Sequence, residues 1–252
     1  MSSEYDLDAG PDPADLAAAR PERRDSDNPV YAVGIGPGNT DYITEKGADA
    51  IREADVVVGF ETVVGFVSGL IEGETLTCGY RDEAETLSTF AERIEAGKSG
   101  TAVLMGDPNH SGYQFVGKVE QAVDRPVSII PGISSLQIAA SRARTPMEET
   151  VFVTLHKSGD IDPDIQRLRE HVGKRNLLVL PRPFDRMPGD IAAELLTAGA
   201  EESLTALVYE RLTHDEESTT RTTLGELADH AGGSDPDDTP FSDLSILVVR
   251  SG

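Results

Sequence analysis

Three glycine-bearing turns, each directly after a run of β-forming residues, offer the groups best suited to holding a ligand. They span residues 34–38 (GIGPG), 106–108 (GDP) and 131–135 (PGISS). In open α/β sheets, ligands bind beyond the carboxyl ends of strands, where such turns lie. Glycine lets a ligand approach the backbone closely, and N–H groups at a following helix start hold anionic or polar groups. Three turns in one half of the chain predict a single cleft built from several strand ends.

The polar side chains in and near these turns are candidate ligand contacts, and each also has a structural interpretation. Asp107, when ionised, suits ribose hydroxyls or an ammonium group, but an Asp before Pro also bonds its own backbone. Ser134 and Ser135 follow Pro-Gly, where a helix N-cap is equally expected. His110 and His156 could stack on or bond a ligand, or serve only the structure. No His lies at ligand spacing from an Asp or Glu, so no protein-bound metal is expected.

Apolar runs and helical segments alternate regularly from Pro29 onwards, which predicts a mostly parallel sheet covered on both faces. The expected strands are 30–35, 55–58, 75–77, 101–105 and 127–130, and the expected helices are 43–54, 62–71, 83–96, 112–122 and 134–144.

After Pro146 the pattern changes, and a second α/β domain is expected. Strands at 151–155 and 176–180 precede helices over 161–171 and 191–198, and strand-forming runs then dominate at 204–210, 218–223 and 244–250. Threonine favours strand over helix in the second of these runs. The predicted fold is α/β, with an N-terminal domain over 29–146 and a C-terminal domain over 147–252 that ends in antiparallel strands.

The composition is strongly acidic. The chain has 22 Lys and Arg against 45 Asp and Glu, a formal net charge of −23 in 252 residues. Such an excess repels nucleic acid and anionic membranes, because phosphate binding needs clustered Lys and Arg. It is typical of a cytoplasmic protein from a salt-accumulating halophile, since high net charge acts on solubility.

The sequence gives no indication of a disulfide, a reactive thiol, a membrane helix or a signal peptide. Cys78 is the single cysteine and is expected to be a small, half-buried residue at a strand end rather than a nucleophile. No apolar stretch approaches the roughly 20 residues of a membrane helix. Residues 1–28 lack the apolar core of a signal peptide and are expected to form an acidic disordered tail.

The first turn does not match a dinucleotide-binding fingerprint. That motif needs Gly-x-Gly-x-x-Gly, whereas the glycines here are Gly34, Gly36 and Gly38, and Pro37 removes an N–H. Asp55 lies where a ribose ligand could be sought, but it is expected to cap or precede the next strand. A nicotinamide cofactor is therefore disfavoured.

The order and spacing of VGIGPG (33–38), GDP (106–108) and PGISS (131–135) resemble the tetrapyrrole (corrin/porphyrin) methylases. The resemblance spans residues 29–250. Segments 54–59 (ADVVVG), 130–140 (IPGISSLQIAA) and 152–156 (FVTLH) make the chain most similar to precorrin-7 or cobalt-precorrin-7 C5-methyltransferases of the CbiE type.

This resemblance implies a two-domain homodimer, with a mostly parallel sheet in the N-terminal domain and a mixed sheet in the C-terminal domain. It implies a cleft that binds S-adenosylmethionine and releases S-adenosylhomocysteine. The N-terminal domain would supply the substrate trough and cofactor loops, and the C-terminal domain would complete the cleft. The residues that match cofactor positions, or that could contact the cofactor, are Pro37, Gly106, Asp107, His110, Ser134, Ser135, His156, Pro181 and Leu212.

The implied activity is methylation at C5 of (cobalt-)precorrin-7 in cobalamin biosynthesis. Alternatives are a C20, C11 or C17 tetrapyrrole methylase, a diphthine synthase (which Pro37 disfavours), a nucleic-acid methylase, or a non-catalytic corrinoid-binding protein. Because the chain ends at Gly252, a separate C15-methyltransferase and decarboxylase is expected as a functional partner.

The sequence does not identify a catalytic base. Uroporphyrinogen-type relatives carry an aspartate after the second strand and a basic residue near the third. This chain has Phe60 and Glu61 at the first place, and Tyr80 and Arg81 at the second, so Glu61, Tyr80 and Arg81 are the catalytic candidates. We expect a basic patch for the carboxylates of the substrate, formed by Arg81, Lys157, Arg182 and Arg186.

Overall fold

The computed structural model describes residues 28–79, 81–110, 112–157, 159–233 and 235–252. The chain divides into two compact units between Ser134 and Ser135. Apart from Asn28, the expected tail lies outside the described residues. Within the described ranges, no helix combines the length and apolar character that a membrane crossing requires.

The first unit is built on a five-stranded sheet whose neighbouring strands are all parallel. The strands are β1 (Val30–Gly34), β2 (Val56–Phe60), β3 (Glu74–Cys78), β4 (Gly100–Leu104) and β5 (Val127–Ile130). Their spatial order is β3-β2-β4-β1-β5. Strand β1 therefore lies between β4 and β5, so the strands that precede the three glycine turns are neighbours.

Helices cover both faces of this sheet. Successive residues of a strand point to opposite sides, so each strand contributes buried side chains to both layers of helices. The helices are α1 (Glu45–Arg52), α2 (Glu61–Val67), α3 (Glu83–Glu95) and α4 (Tyr113–Ala122). Val33 and Val103 pack with side chains of α1 and α2, whereas Ala32 and Ala102 pack with those of α3 and α4. Burial on both faces explains the nearly continuous apolar runs of the strands.

The second unit begins with helix α5 (Ser135–Ala143) and contains a mixed five-stranded sheet. Its strands are β6 (Thr150–Thr154), β7 (Asn176–Leu180), β8 (Thr205–Glu210), β9 (Ser218–Thr223) and β10 (Ser245–Val249). The order is β6-β7-β10-β8-β9, with β6 and β7 parallel and the other pairs antiparallel. Helices α6 (Asp162–His171), α7 (Pro188–Thr197) and α8 (Leu224–Ala228) follow β6, β7 and β9.

The structure confirms the predicted α/β fold, with a parallel first sheet and a mixed second sheet that ends in antiparallel strands. The helix expected over 62–71 ends at Val67 and is followed by a 3-10 turn over Ser68–Leu70. Two further elements differ from expectation. Helix α7 begins at Pro188 rather than at residue 191, and α8 was not predicted. Pro fits the first helical position, because its missing N–H would have no partner within the helix there. Pro188 and Gly189 therefore form the first turn of α7 and are not part of the preceding loop.

Helix α5 belongs to the second unit, whereas the sequence-based division places it at the end of the first domain. The compact units divide after Ser134, and α5 contacts β7 and β10 of the second sheet. Its apolar residues, including Leu136 and Ala140, are buried. Pro146 therefore marks the start of β6 and its short preceding turn, not the division between the compact units.

Candidate functional site

The three glycine turns meet at the carboxyl edge of the first sheet. The Gly36 N–H donates to Gly106 O at 3.2 Å, and the Gly106 N–H donates to Gly36 O at 2.7 Å. A Cβ added to Gly34 would lie 2.5 Å from Gly106 O and 2.7 Å from Gly132 N. A Cβ on Gly132 would lie 2.2 Å from Gly106 O. Gly34 and Gly132 are therefore needed for the turns to approach one another. The sequence alone explains these glycines only by the close approach of a ligand.

This edge has the topology that forms ligand crevices in open sheets. Helix α1 follows β1 and packs on one face, while α4 follows β4 and packs on the opposite face. Neighbouring strands whose connections leave to opposite faces create a crevice beyond their carboxyl ends. The strands concerned are β1 and β4, and the Gly36–Gly106 backbone bridge lies directly beyond them.

Asp107 connects the second turn to the third. Its Oδ2 accepts a hydrogen bond from the Gly132 N–H at 3.1 Å. Its Oδ1 accepts from the Asn109 N–H at 2.9 Å and from the Asn109 side-chain amide at 3.2 Å. The Asn109 bonds are those of a turn residue, whereas the Gly132 bond joins two turns. A carboxylate offers about four acceptor positions, so a half-buried Asp107 retains capacity for a ligand donor.

His110 and Ser134 form a second connection between the same two turns. His110 Nδ1 lies 3.0 Å from Ser134 Oγ, and the His110 N–H donates to Asp107 O at 2.9 Å. Ser134 is buried and His110 is half-buried. Burial lowers the pKa of His110 below its ordinary value of 6.5, against a smaller opposing contribution from Asp107. The imidazole is therefore neutral near pH 7.

Pro37 is buried in the first turn, between two glycines with left-handed backbone. Gly36 has φ 82° and Gly38 has φ 112°, values that other residues rarely adopt. The pyrrolidine ring fixes the φ of Pro37 as well. The shape of the first turn therefore depends on glycine at positions 36 and 38 and on the fixed φ of Pro37.

Two of the three catalytic candidates can be placed, since Tyr80 lies outside the described residues. Glu61 is exposed and is the first residue of α2, directly after β2. Arg81 is exposed shortly before α3. Phe60 contacts Phe115, with ring centroids 5.4 Å apart and planes tilted by 50°. An aromatic pair thus occupies the end of β2, where the resemblance leads one to look for a carboxylate.

The remaining candidate cofactor contacts lie in the second unit. Ser135 is the first residue of α5. Pro181 is buried directly after β7, Leu212 is buried in the loop after β8, and His156 is exposed shortly after β6. Their contact with a cofactor stays a prediction.

The cations of the expected basic patch are largely paired with carboxylates. Lys157 Nζ lies 2.6 Å from Asp164 Oδ2. Arg182 and Arg186 both pair with Asp185. Lys157, Arg182 and Arg186, which lie in the second unit, therefore contribute less net positive charge than the sequence suggests.

Several residues considered from sequence have structural roles. Asp55 precedes β2, as expected, and its Oδ2 accepts from the N–H and hydroxyl of Ser99, both at 2.8 Å. Cys78 ends β3 but is fully buried rather than half-buried. Burial raises the pKa of this thiol to about 11, and the neighbouring Asp82 adds to the shift. The thiol therefore stays protonated and is a poor nucleophile.

Two ion pairs join residues too distant in sequence to be paired from their spacing. Lys118 Nζ lies 2.9 Å from Oε2 of the buried Glu83, linking α3 and α4. Arg142 on α5 pairs with Glu217 in the loop after β8 at 2.9 Å. Across the described ranges there is no cluster of three or more His, Cys, Asp or Glu that could hold a metal ion.

The family model and the individual relatives that match this chain describe the same kind of protein. The sequence model of the tetrapyrrole (corrin/porphyrin) methylases matches residues 29–228. A cobalt-precorrin-4 C(11)-methyltransferase from Priestia megaterium is 26% identical over 211 residues, covering 79% of this chain and 81% of that protein. A probable cobalt-precorrin-7 C(5)-methyltransferase from Methanocaldococcus jannaschii is 27% identical over 199 residues, covering 79% and 91%.

A solved structure shares the fold. The uroporphyrin-III C-methyl transferase from Thermus thermophilus, complexed with S-adenyl homocysteine, superposes with a TM-score of 0.66 at 23% identity. The similarity covers 88% of this chain and 97% of that one.

Proposed function

Because the chain belongs to the tetrapyrrole (corrin/porphyrin) methylases, which use S-adenosylmethionine, we propose that it methylates C5 of precorrin-7 or cobalt-precorrin-7 in cobalamin biosynthesis. The family supports a methyltransferase with this cofactor, and the macrocycle carbon is our proposal. The observation that carries the cofactor site is the convergence of the three glycine turns at the crevice between β1 and β4.

The chemistry of the residues at these turns fits S-adenosylmethionine. Its ammonium group and ribose hydroxyls need acceptors, and Asp107 is a half-buried carboxylate with remaining acceptor capacity. Its carboxylate needs donors, which a helix N-terminus such as the start of α5 provides. In this proposal Gly106, Asp107 and His110 surround the methionine and ribose, and Ser134 and Ser135 bind at the helix start.

The protein's main contribution to the reaction is positioning. When bound, S-adenosylmethionine would supply an electrophilic methyl group to an electron-rich macrocycle carbon, with S-adenosylhomocysteine as the leaving group. Alignment of two reactants contributes roughly 7–11 kcal/mol to such a step. The hydrogen bonds of Asp107 to Gly132 and of His110 to Ser134 keep two of the turns in fixed register, as alignment requires. Glu61 is proposed to accept a proton from the macrocycle, and Arg81 to pair with a substrate carboxylate.

Two observations support the proposed substrate. The C(5)-methyltransferase relative is matched over 91% of its length. The aromatic pair Phe60–Phe115 replaces the carboxylate expected after β2 in uroporphyrinogen-type enzymes. This replacement disfavours a uroporphyrinogen substrate. The proposed enzyme is a homodimer, and C15 methylation with decarboxylation is proposed to be carried out by a separate enzyme.

C11 methylation of cobalt-precorrin-4 is the second candidate. The C(11)-methyltransferase relative has nearly the same identity and is matched over 81% of its length. Discrimination between the two requires the product, because both reactions use the same cofactor.

The experiment supplies the protein with methyl-labelled S-adenosylmethionine and, separately, cobalt-precorrin-7 and cobalt-precorrin-4. The proposal predicts a gain of one methyl on cobalt-precorrin-7, located at C5 by carbon NMR. Methylation of cobalt-precorrin-4 instead would select the second candidate. Binding of the macrocycle without methyl transfer to either would contradict both candidate activities and favour a corrinoid-binding protein.

A further inference from the structure

The loop after β8 has an unusual backbone around Leu212. Arg211 has φ 48° and Thr213 has φ 72°, so two non-glycine residues in the left-handed region flank one buried leucine. A left-handed conformation is a clear outlier for a β-branched residue such as Thr213. Residues of this kind persist only where the surrounding structure enforces them, and they cluster at functional sites.

Glu217 holds this loop in place. Its Oε2 accepts a hydrogen bond at 2.8 Å from the N–H of Thr213, the residue directly after Leu212. The backbone adds support, because the His214 N–H donates to Arg211 O and the Glu217 N–H donates to His214 O, both at 3.0 Å. The carboxylate thus binds the strained residue directly.

Arg142 connects the same carboxylate to helix α5. Its Nε donates to Glu217 Oε1 at 2.9 Å and its Nη2 donates to Glu217 Oε2 at 3.4 Å, the two-pronged geometry that guanidinium and carboxylate groups favour. Glu217 is three-quarters buried in this pair. The pKa of Glu217 is lowered, chiefly by the Arg142 hydrogen bond, so the carboxylate stays ionised at neutral pH.

Helix α5 is itself held at its carboxyl end. It begins at Ser135, a proposed cofactor contact, and Arg142 lies roughly 10 Å further along the helix axis at ~1.5 Å per residue. At its carboxyl end, Arg250 Nη1 donates to Ala143 O at 2.6 Å and ties the helix to the end of β10. The pair of Arg142 and Glu217 therefore sets the position of Leu212 relative to the start of α5.

We propose that Arg142 and Glu217 are positioning residues that hold the Leu212 loop in the conformation required to bind the adenosyl part of the cofactor. This inference rests on the proposed function, because it takes Ser135 and Leu212 as cofactor contacts. The two residues act through the loop backbone and need not touch the cofactor.

The test compares Glu217→Ala and Glu217→Gln with a matched control, Glu194→Ala. Glu194 pairs with Arg169 between α6 and α7 at similar exposure, 31% against 25% for Glu217, in the same unit. The measurements are the dissociation constant of S-adenosylhomocysteine by calorimetry and the melting temperature of each full-length variant.

We expect Glu217→Ala to weaken S-adenosylhomocysteine binding at least tenfold. Glu217→Gln should give a smaller loss, since its amide oxygen still accepts from the Thr213 N–H. Glu194→Ala should leave binding within twofold of the wild type. Equal binding by wild type and Glu217→Ala, with only the melting temperature lowered, would overturn the inference and leave a purely structural pair.

Two further measurements keep the test decisive. Should Glu217→Ala not fold, Arg142→Lys retains the charge but loses the two-pronged geometry, and a loss of binding of about threefold or more is expected. Unchanged binding in Arg142→Lys would then contradict the inference. A folded wild-type protein that does not bind S-adenosylhomocysteine would instead contradict the proposed function, so the two failures are distinguishable.

Discussion

At the scale of single residues, Asp107 and His110 matter because each joins turns that lie far apart in sequence. The partner of Asp107 at Gly132 is 25 residues away, and the partner of His110 at Ser134 is 24 residues away. Both side chains are half-buried. The Asp107 carboxylate bond to the Gly132 N–H contributes about 1.5–3 kcal/mol as a bond to a charged group, and the neutral His110–Ser134 bond contributes about 0.5–1.5 kcal/mol. The two residues thus give the site its register, whether or not they also contact a ligand.

His110 predicts a defined dependence of stability on pH. Its pKa is lowered in the folded protein by burial, so the unfolded chain binds the proton more readily between that value and 6.5. Stability from this residue is therefore complete above 6.5 and is lost as the pH falls below it. We expect the difference in unfolding free energy between wild type and His110→Asn to shrink from pH 7.5 to pH 5.5, measured by urea denaturation.

The use of a difference between two proteins cancels the contributions of the other titrating groups, including His156, whose pKa is also lowered. A difference that stays constant or grows with acidification would show that folding does not lower the pKa of His110.

At the scale of elements, the decisive feature is the close approach of the turns that follow β1, β4 and β5. Gly34→Ala would place a Cβ 2.5 Å from Gly106 O and 2.7 Å from both Gly132 N and the Pro108 side chain. Backbone atoms cannot yield as a flexible side chain does. We expect a loss of about 1–3 kcal/mol in unfolding free energy, the usual cost of overpacking a core.

The matched control is Gly65→Ala in α2, where an added Cβ meets nothing within 4 Å. Alanine is the better helix former, so this variant should gain about 0.5–1 kcal/mol. Chemical denaturation of both variants measures the contrast. A Gly34→Ala protein as stable as wild type would mean that the turns are not packed as described.

Much of the element pattern could be predicted, because strands buried on both faces have continuous apolar runs such as 30–33 and 102–104. Even the unpredicted α8 had a signal: Thr223 and Glu226 form a capping box three residues apart. Strand order had no such signal, since β10 inserts between β7 and β8 from the far end of the chain.

The candidate site was partly predictable for the same reason. Glycine turns after strands are visible in the sequence, and so is the Asp107 turn bond to Asn109. Contacts that depend on strand order are not visible. The Asp107–Gly132 bond depends on β4 and β5 lying on either side of β1, and the Arg142–Glu217 pair spans 75 residues.

At the scale of the whole molecule, the net charge of −23 is the dominant property. Like charges repel across the folded surface, and salt reduces this repulsion because the screening length falls from about 10 Å at 0.1 M to about 3 Å at 1 M. We expect the melting temperature to rise by roughly 5 °C or more between 0.1 and 2 M KCl, on the few-degrees-per-kcal/mol scale of domains this size. A melting temperature that is unchanged or falls would contradict a halophilic adaptation.

The most direct test of the account is a calorimetric titration of the full-length protein with S-adenosylhomocysteine in 2 M KCl, for wild type, Asp107→Ala and the exposed control Asp49→Ala. The cofactor site at the three turns predicts one molecule bound per chain. Asp107→Ala should weaken that binding at least tenfold, about 1.4 kcal/mol, while Asp49→Ala should not change it. A folded wild-type protein that does not bind, or binding that is equally tight in Asp107→Ala, would contradict the central claim.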